Sequence, residues 1–234
     1  MKKENLKRNV VLSILFFLPV AFLLMLYPSK NNYEPLDIVN SNVVEVASLE
    51  TTGDEVQLKD HITILGFLGL EPDKNQLAML NLKEVIYDKF LGFKKFQVII
   101  LVPKGLENEV AELEQELITI EPLKYWHFVY ANEDDISRVF KSLKAHTTLN
   151  ENLALTEVFV IDSERNQRGR LDDRTKKEIE KNLKEYPLYH YDCIQVSELK
   201  NKLAKEDMRV LFTEYREKRK GKFDSTTRRA NDIK

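Results

Sequence analysis

The 234-residue sequence is 43% apolar, which is enough for one domain of ordinary size with a hydrophobic core. Its formal net charge of −2 gives no overall case for binding nucleic acid or an anionic surface. The one cysteine, Cys193, excludes an internal disulfide, a CxxC or CxxxC dithiol and an all-cysteine metal site.

The N-terminus carries a basic flank at 1–9, followed by an uncharged apolar run at 10–27. As a helix this run spans about 27 Å of hydrocarbon at about 1.5 Å per residue. A cleaved signal peptide is the alternative, but no small-x-small site and no lipoprotein cysteine follows the run. We therefore predict an uncleaved single-pass anchor. Its basic flank stays in the cytoplasm, and the rest of the chain lies on the other side, which in a bacterium is the periplasm.

The next segments predict a tether and the start of a domain. Residues 28–42 are polar and rich in turn formers, which indicates a tether. Residues 43–60 predict two strands joined by a Gly53-Asp54 hairpin turn. The apolar run at 62–68 predicts a buried strand, and the spacing of apolar residues over 74–91 predicts a helix.

The rest of the chain alternates strands with amphipathic helices. Apolar runs predict strands at 96–103, 126–130 and 156–162, with 168–171 pairing back antiparallel. Helical spacing predicts helices at 106–118, 134–143 and 197–217, with Ser197 as the N-cap of the last one. The basic tail at 218–234 lacks an apolar pattern and is predicted to be disordered. The alternative for this tail is contact with anionic lipid or an acidic partner.

This order of elements predicts an α/β domain over 43–217. Alternating strands and helices favour a sheet with a parallel core and helices on both faces, and right-handed crossovers limit its arrangement. A parallel pair, then a strand that returns as a hairpin, then a closing helix is typical of the thioredoxin-like fold. We predict that fold, with a central mixed sheet flanked by helices.

Four segments resemble the Sco/SenC-type thioredoxin-like proteins, a family of membrane-anchored copper chaperones for cytochrome oxidase assembly. The segments are "TTGDEVQLKDH", "ITILGFLGLEPDKNQ", "YWHFVYANEDDISRVF" and "VFVIDSERNQRGRLDD", and the resemblance covers about residues 43–215. The resemblance lies in the order of the segments and in their local sequence character. Peroxiredoxins and TlpA-like redoxins share the same general layout. The resemblance implies a thioredoxin-like fold and a role near the respiratory chain.

The residues that carry this family's chemistry are replaced here. By position, the two cysteines of the family's CxxxC motif fall near Pro72 and Gln76, and its metal-binding histidine falls near Ala154, eight residues after His146. Copper(I) prefers soft sulfur ligands, and thiol–disulfide exchange needs a thiolate. The resemblance therefore does not imply either activity at this turn. We expect Pro72 to begin a helix there and Asp73 to cap it.

Two other groups of residues are candidates for function. Cys193 is predicted to be a buried or half-buried structural residue; the alternative is a relocated redox or metal-donor thiol acting with His146 or His190. Arg168, Arg170, Asp172 and Asp173 form the densest alternation of charge. They predict a solvated hairpin end at which Asp173 caps the next helix. The functional alternative is a polar docking edge, because arginine suits carboxylate partners.

The sequence predicts a membrane-tethered, non-catalytic binding or assembly factor, with a respiratory cytochrome oxidase as the target that the resemblance implies. We expect a protein partner in the envelope, no nucleic acid, no metal site and no cofactor. Two alternatives stay open. One is a copper chaperone or one-cysteine redox protein that uses Cys193, and the other is a purely structural envelope protein.

Overall fold

The computed structural model describes residues 2–26, 35–49, 56–118 and 122–221. The Gly53-Asp54 turn and tail residues 222–234 lie outside the described residues. The chain divides into two compact units, Met1–Glu34 and Pro35–Lys234.

The first unit holds one helix, α1, which runs from Lys2 to Leu26 and contains Pro19. Within it, Lys7–Met25 is long and apolar enough to cross a membrane. Its apolar side chains from Val10 to Met25 are exposed. The predicted apolar helix is confirmed, with a span that matches the hydrocarbon core of a bilayer.

In the described residues of the second unit, the chain forms seven strands and a set of helices. The strands are β1 (Asp37–Asn40), β2 (Ile62–Phe67), β3 (Phe96–Pro103), β4 (Trp126–Ala131), β5 (Glu157–Ile161), β6 (Gln167–Gly169) and β7 (Tyr191–Asp192). The α-helices are α2 (Pro72–Leu82), α3 (Asp88–Phe90), α4 (Glu107–Leu117), α5 (Glu133–Lys141), α6 (Lys176–Glu180), α7 (Val196–Glu198) and α8 (Met208–Arg219). A π-helical stretch at Lys83–Tyr87 joins α2 to α3, and another at Leu199–Asp207 joins α7 to α8.

The sheet has the order β1-β6-β5-β2-β3-β4, and β7 pairs with β5. Strands β2, β3 and β4 are parallel, whereas β5 is antiparallel to β2, and β6 is antiparallel to β5. A β-α-β unit, a returning hairpin and a closing helix form the thioredoxin-like arrangement. The predicted fold class is confirmed.

The core lies on both faces of the sheet, because β2 and β3 are buried along their whole length. Successive side chains of a strand point to opposite faces. Ile64 accordingly packs in the cluster with α2, α4 and α8, while Leu65 packs in the second cluster with α5. These two runs are almost entirely apolar, which is why the central strands could be recognised in the sequence.

The structure corrects the prediction for 28–42 and 43–60. Residues 37–40 of the predicted tether form strand β1, which pairs with β6, and the Asp37 carboxylate accepts a hydrogen bond from the Leu171 amide at 2.9 Å. The two strands predicted within 43–60 are absent from its described residues, which instead contain a 3-10 turn at Val46–Ser48. Glu45 holds this segment together by accepting hydrogen bonds from the amides of Leu58 and Lys59.

Two predicted helix caps are also wrong. Ser197 lies inside α7, whose N-cap is Gln195. Asp173 does not cap α6, because Thr175 does so in a capping box with Glu178. The Thr175 pair satisfies two backbone amides at once, which a single aspartate two residues earlier does not do.

A buried arginine joins four segments of the second unit. Arg168 on β6 is 3% exposed. Its guanidinium donates to Asp162 at 2.9 Å, to Glu214 of α8 at 2.6 Å and to the carbonyl of Leu36 at 2.8 Å. These are charge-assisted bonds, which are the strong kind, and they link the β5–β6 hairpin, the closing helix and the chain that leads into β1.

We predict that Arg168→Leu destabilises the domain by about 3–5 kcal/mol, because it removes the buried counter-charge of Asp162 and Glu214. Glu214 would keep only the partly exposed Lys218, at 3.2 Å. The matched control is Arg138→Leu. Arg138 pairs with Asp135 at 2.8 Å on the exposed face of α5, and its loss should cost about 0.5 kcal/mol or less. Urea unfolding of the full chain in a non-ionic detergent measures both. Equal losses would show that the buried cluster does not hold the domain together.

Candidate functional site

The turn after β2 lies at the carboxyl ends of the parallel strands, where open α/β sheets bind ligands. The Leu68 amide donates to the Leu101 carbonyl at 3.0 Å and so continues the pairing with β3. The chain then turns at Gly69, whose φ is +78°, and α2 begins at Pro72.

The Gly69 backbone packs directly against the loop that precedes β5. A Cβ at this position would lie 2.5 Å from both the Ala154 Cβ and the Asn152 carbonyl oxygen. Only glycine fits both the positive φ and this close approach. Ala154, the position at which the resemblance places a metal-binding histidine, therefore lies against the turn as a small packing residue.

Hydrogen bonds hold that loop over the turn. The Leu70 amide donates to the Asn152 carbonyl at 2.8 Å, and the Asn152 side-chain amide donates to the Glu71 carboxylate. Asn150 accepts from the amides of Asn152 and Ala154, each at 2.9 Å. The loop thus covers the turn through both its backbone and its side chains.

The side chains at positions 72, 73 and 76 differ in their surroundings. Pro72 is buried and begins α2, as expected. Asp73 is exposed in the first turn of α2; the N-cap is Glu71, which makes no side-chain capping bond, so the predicted Asp73 cap is wrong. Gln76 donates to Glu116 of α4. None of these three side chains is a thiol or an imidazole, so these positions offer neither a thiolate nor a soft metal ligand.

The polar residues that close the turn were not singled out in the sequence. Asn75 is buried and donates to the Leu68 carbonyl at 2.8 Å, so it fixes the first turn of α2 to the end of β2. Asn150 and Asn152 lie about 80 residues further along the chain. The one local signal was the polar "LNENLAL" segment before β5, and nothing in its composition shows that it folds onto Gly69.

Cys193 is a buried structural residue. It lies just after β7 and is fully buried; its amide donates to the Thr156 carbonyl at 3.0 Å, and its carbonyl accepts from Asn81 at 2.9 Å. Burial raises the pKa of the thiol well above its ordinary value, and the neighbouring Asp192 and Glu157 carboxylates raise it further. At neutral pH the group is a protonated, inaccessible thiol, which is a poor nucleophile.

We predict that Cys193 of the folded chain reacts with Ellman's reagent at pH 8 more than a hundredfold more slowly than in guanidinium chloride. Both the burial and the raised pKa of the thiol oppose the reaction. The absorbance of the released thiolate measures both rates in the full chain. Similar rates in the two conditions would mean that the thiol is accessible and would restore it as a reactive group.

Two of the four histidines lie close together, although they are far apart in the sequence. The rings of His146 and His190 have centroids 6.2 Å apart, and the His146 ring stacks on Tyr189 at 4.7 Å. Burial lowers the pKa of His190, which favours a neutral imidazole at pH 7. Within the described residues, no group of three or more histidine, cysteine, aspartate or glutamate side chains could hold a metal ion.

The two arginines of the candidate docking edge pair with carboxylates of the same domain. Arg168 points into the domain, as described above. Arg170 donates to Asp207 at 3.0 Å and to Asp173 at 3.1 Å, and it also pairs with Glu206. The carboxylates at 206 and 207 precede α8, so the local sequence around Arg170 gave no sign of them.

The remaining charges of this segment are also paired. Asp172 accepts from Arg174 at 2.8 Å, and Lys202 donates to Asp173 at 2.9 Å. The Tyr191 hydroxyl donates to Asp207 at 2.5 Å; burial raises the pKa of the Tyr191 phenol well above its ordinary value, and the Asp207 charge raises it further. The segment thus fixes the β6 end to the C-terminal helices and presents few unpaired groups to a partner.

Comparison with known proteins finds no matching family model and no curated relative. Solved structures with a similar fold include BsSco, a member of the Sco family of cytochrome c oxidase assembly proteins: 13% identity, TM-score 0.42, covering 72% of this chain and 99% of that one. They also include a SCO1/SenC family lipoprotein from Bacillus anthracis: 13% identity, TM-score 0.38, covering 60% and 86%. A third is the thioredoxin domain of a thiol-disulfide oxidoreductase from Bacteroides vulgatus: 12% identity, TM-score 0.38, covering 64% and 100%.

The predicted resemblance to Sco/SenC-type proteins is confirmed as a likeness of fold. At these identities and TM-scores it assigns no activity and no partner to this chain. What the turn can do is decided by its own residues.

Proposed function

We propose that this chain is a membrane-anchored binding protein whose thioredoxin-like domain positions a partner and performs no thiol or copper chemistry. The observation that carries the proposal is the turn after β2. Its side chains at 72 and 76 are a buried proline and a glutamine bonded to Glu116, and the loop at Asn152–Ala154 packs against it. The one cysteine of the chain is buried elsewhere, so no thiolate is available to act at this turn.

The anchor and the side of the membrane are part of the proposal. Helix α1 supplies the length and apolar surface for a single span. The basic residues of 1–9 favour a cytoplasmic N-terminus, since lysine and arginine are retained on that side. The domain from Pro35 onward then lies outside the cytoplasm, which in a bacterium is the periplasmic face of the inner membrane.

The partner class in the proposal is a respiratory cytochrome oxidase under assembly. Its support is the resemblance in segment order to the Sco/SenC-type proteins, which share an N-terminal anchor with this chain. A domain that has kept the scaffold and replaced the ligands can still hold a subunit in place. It would do so through its surface, because binding needs no reactive group.

We predict that the full chain in a non-ionic detergent neither reduces insulin disulfides above the reagent blank nor binds copper(I) with sub-micromolar affinity. The physical reason is that neither a thiolate nor a pair of soft ligands is present at the turn. Turbidity of reduced insulin and competition with a chromogenic copper(I) chelator measure the two activities. Either activity in the wild-type chain, lost in Cys193→Ser, would overturn the non-catalytic assignment.

The double variant P72C/Q76C is the positive control for these assays. Positions 72 and 76 lie one helical turn apart on the same side of α2, so two thiols there meet. We expect this variant to gain disulfide reduction. This gain would show that the assay detects a dithiol at this turn.

We also predict that cells lacking this chain contain at least twofold less assembled cytochrome oxidase, measured from the haem difference spectrum of isolated membranes. Re-expression of the wild-type chain and of Cys193→Ser should restore the level equally, because the thiol has no role in binding. An unchanged oxidase level in the deletion would remove the oxidase as the target. Rescue by the wild type but not by Cys193→Ser would instead support thiol chemistry.

A further inference from the structure

Strand β4 forms one edge of the sheet. It pairs with β3 on one side, and in the described part of the chain no strand pairs with its other side. The Val98 amide donates to the Tyr125 carbonyl at 2.8 Å, and the Lys104 amide donates to the Ala131 carbonyl at 3.1 Å. In a parallel ladder this pattern turns the odd-numbered backbone groups of β4 toward β3. The outward-facing backbone groups therefore belong to Trp126, Phe128 and Tyr130.

This edge lacks the devices that normally protect an exposed strand. Natural edge strands are short, bulged, charged or interrupted by proline. The opposite edge, β1, follows this rule, since it has four residues and an irregular register between Ile38 and Asn40. Strand β4 is six residues long, "WHFVYA", with no proline, aspartate, glutamate, lysine or arginine, and its register with β3 is regular throughout.

Carboxylates border the same edge. Glu107 and Glu114 on α4 lie near Tyr130. The pKa of the Tyr130 phenol is raised, first by burial and then by these two negative charges. The exposed residues Glu133 and Asp134 follow β4 directly, in the first turn of α5. A strand that pairs with β4 thus meets acidic groups beside it and at one end.

We propose that the free edge of β4 accepts an extended segment of a partner protein that carries lysine or arginine side chains, which adds a strand to the sheet. Backbone hydrogen bonds to Phe128 and Tyr130 would supply affinity, and the Glu107 and Glu114 carboxylates would select basic side chains. This inference rests on the proposed binding function and names the surface and the chemistry of the partner.

A second copy of this chain is a poorer occupant of the edge. Two antiparallel β4 strands that pair about Phe128 would place the two α4 helices side by side on one face. The joined edge would then carry the Glu107 and Glu114 carboxylates of both copies. Like charges repel, so these carboxylates disfavour self-pairing.

The test uses the full chain in a non-ionic detergent and a capped seven-residue peptide that alternates lysine with valine. Its matched counterpart has glutamate in place of lysine. Trp126 is the one tryptophan of the chain and begins β4, so its fluorescence reports on the edge. We expect the lysine peptide to bind at least tenfold more tightly than the glutamate peptide. At saturation, hydrogen exchange of the Phe128 and Tyr130 amides should slow at least tenfold.

Two pairs of variants test the backbone of β4 and the neighbouring Glu107 and Glu114 carboxylates separately. Phe128→Pro removes an outward amide at an edge position, where proline is tolerated, whereas Phe128→Ala keeps this amide. We expect the proline variant to bind the lysine peptide at least tenfold more weakly than the alanine variant. E107Q/E114Q should weaken binding about threefold to tenfold. E109Q/E112Q changes the net charge equally on the side of α4 that carries Glu116, and it should have no effect.

The proposal is overturned if the two peptides bind equally, if neither binds, or if E109Q/E112Q weakens binding as much as E107Q/E114Q. Self-association of the wild-type chain that Phe128→Pro abolishes, measured by sedimentation, would assign the edge to a second copy instead. If circular dichroism shows that Phe128→Pro does not fold, two measurements still decide the outcome. These are hydrogen exchange of the wild type and peptide binding by E107Q/E114Q and E109Q/E112Q. The insulin and copper assays do not depend on these results. The edge proposal can therefore fail while the non-catalytic assignment still stands, and the reverse is also true.

Discussion

The Arg168 guanidinium is the interaction on which the arrangement of the second unit depends. Its hydrogen bonds reach Asp162 at the end of β5, Glu214 on α8 and the carbonyl of Leu36 ahead of β1. A buried charge of this kind is tolerated only when its partners are all present, because desolvation costs several kcal/mol per ion. The hairpin, the closing helix and the first strand are therefore coupled: each needs the other two in place to keep the arginine paired.

The central strands hold together mainly by apolar packing, because β2 and β3 are buried along their whole length. Their two polar side chains, Thr63 and Gln97, are buried and hydrogen-bonded to each other at 2.9 Å. These strands hold the turn after β2 in a fixed place, and Gly69 and Asn152 complete it by close backbone contact. The geometry of the turn thus comes from packing and backbone hydrogen bonds, and it requires no reactive side chain.

The central elements could be predicted because their signals are local. The runs at 62–68 and 96–103 are almost continuously apolar, and the helices at 107–117 and 133–141 show helical spacing. The pairing of Arg168 with Glu214 and of Arg170 with Asp207 was missed, because these two carboxylates lie about 40 residues away in the C-terminal helices. The closure of the turn was missed for the same reason, since Asn152 reaches Leu70 across some 80 residues. Pairing between distant polar residues leaves no periodic pattern to detect.

The closed turn and the β4 edge differ in what a bound ligand would have to displace. At the turn, backbone groups are already paired with the loop before β5, so a ligand there would have to displace internal hydrogen bonds. At β4 the outward-facing amides and carbonyls lie beside the exposed carboxylates of α4, so pairing with an added strand would cost no internal ladder bond. Each new backbone bond at this edge replaces bonds to water and contributes about 0.5–1.5 kcal/mol net. A ligand would therefore bind with less internal cost at the β4 edge than at the closed turn.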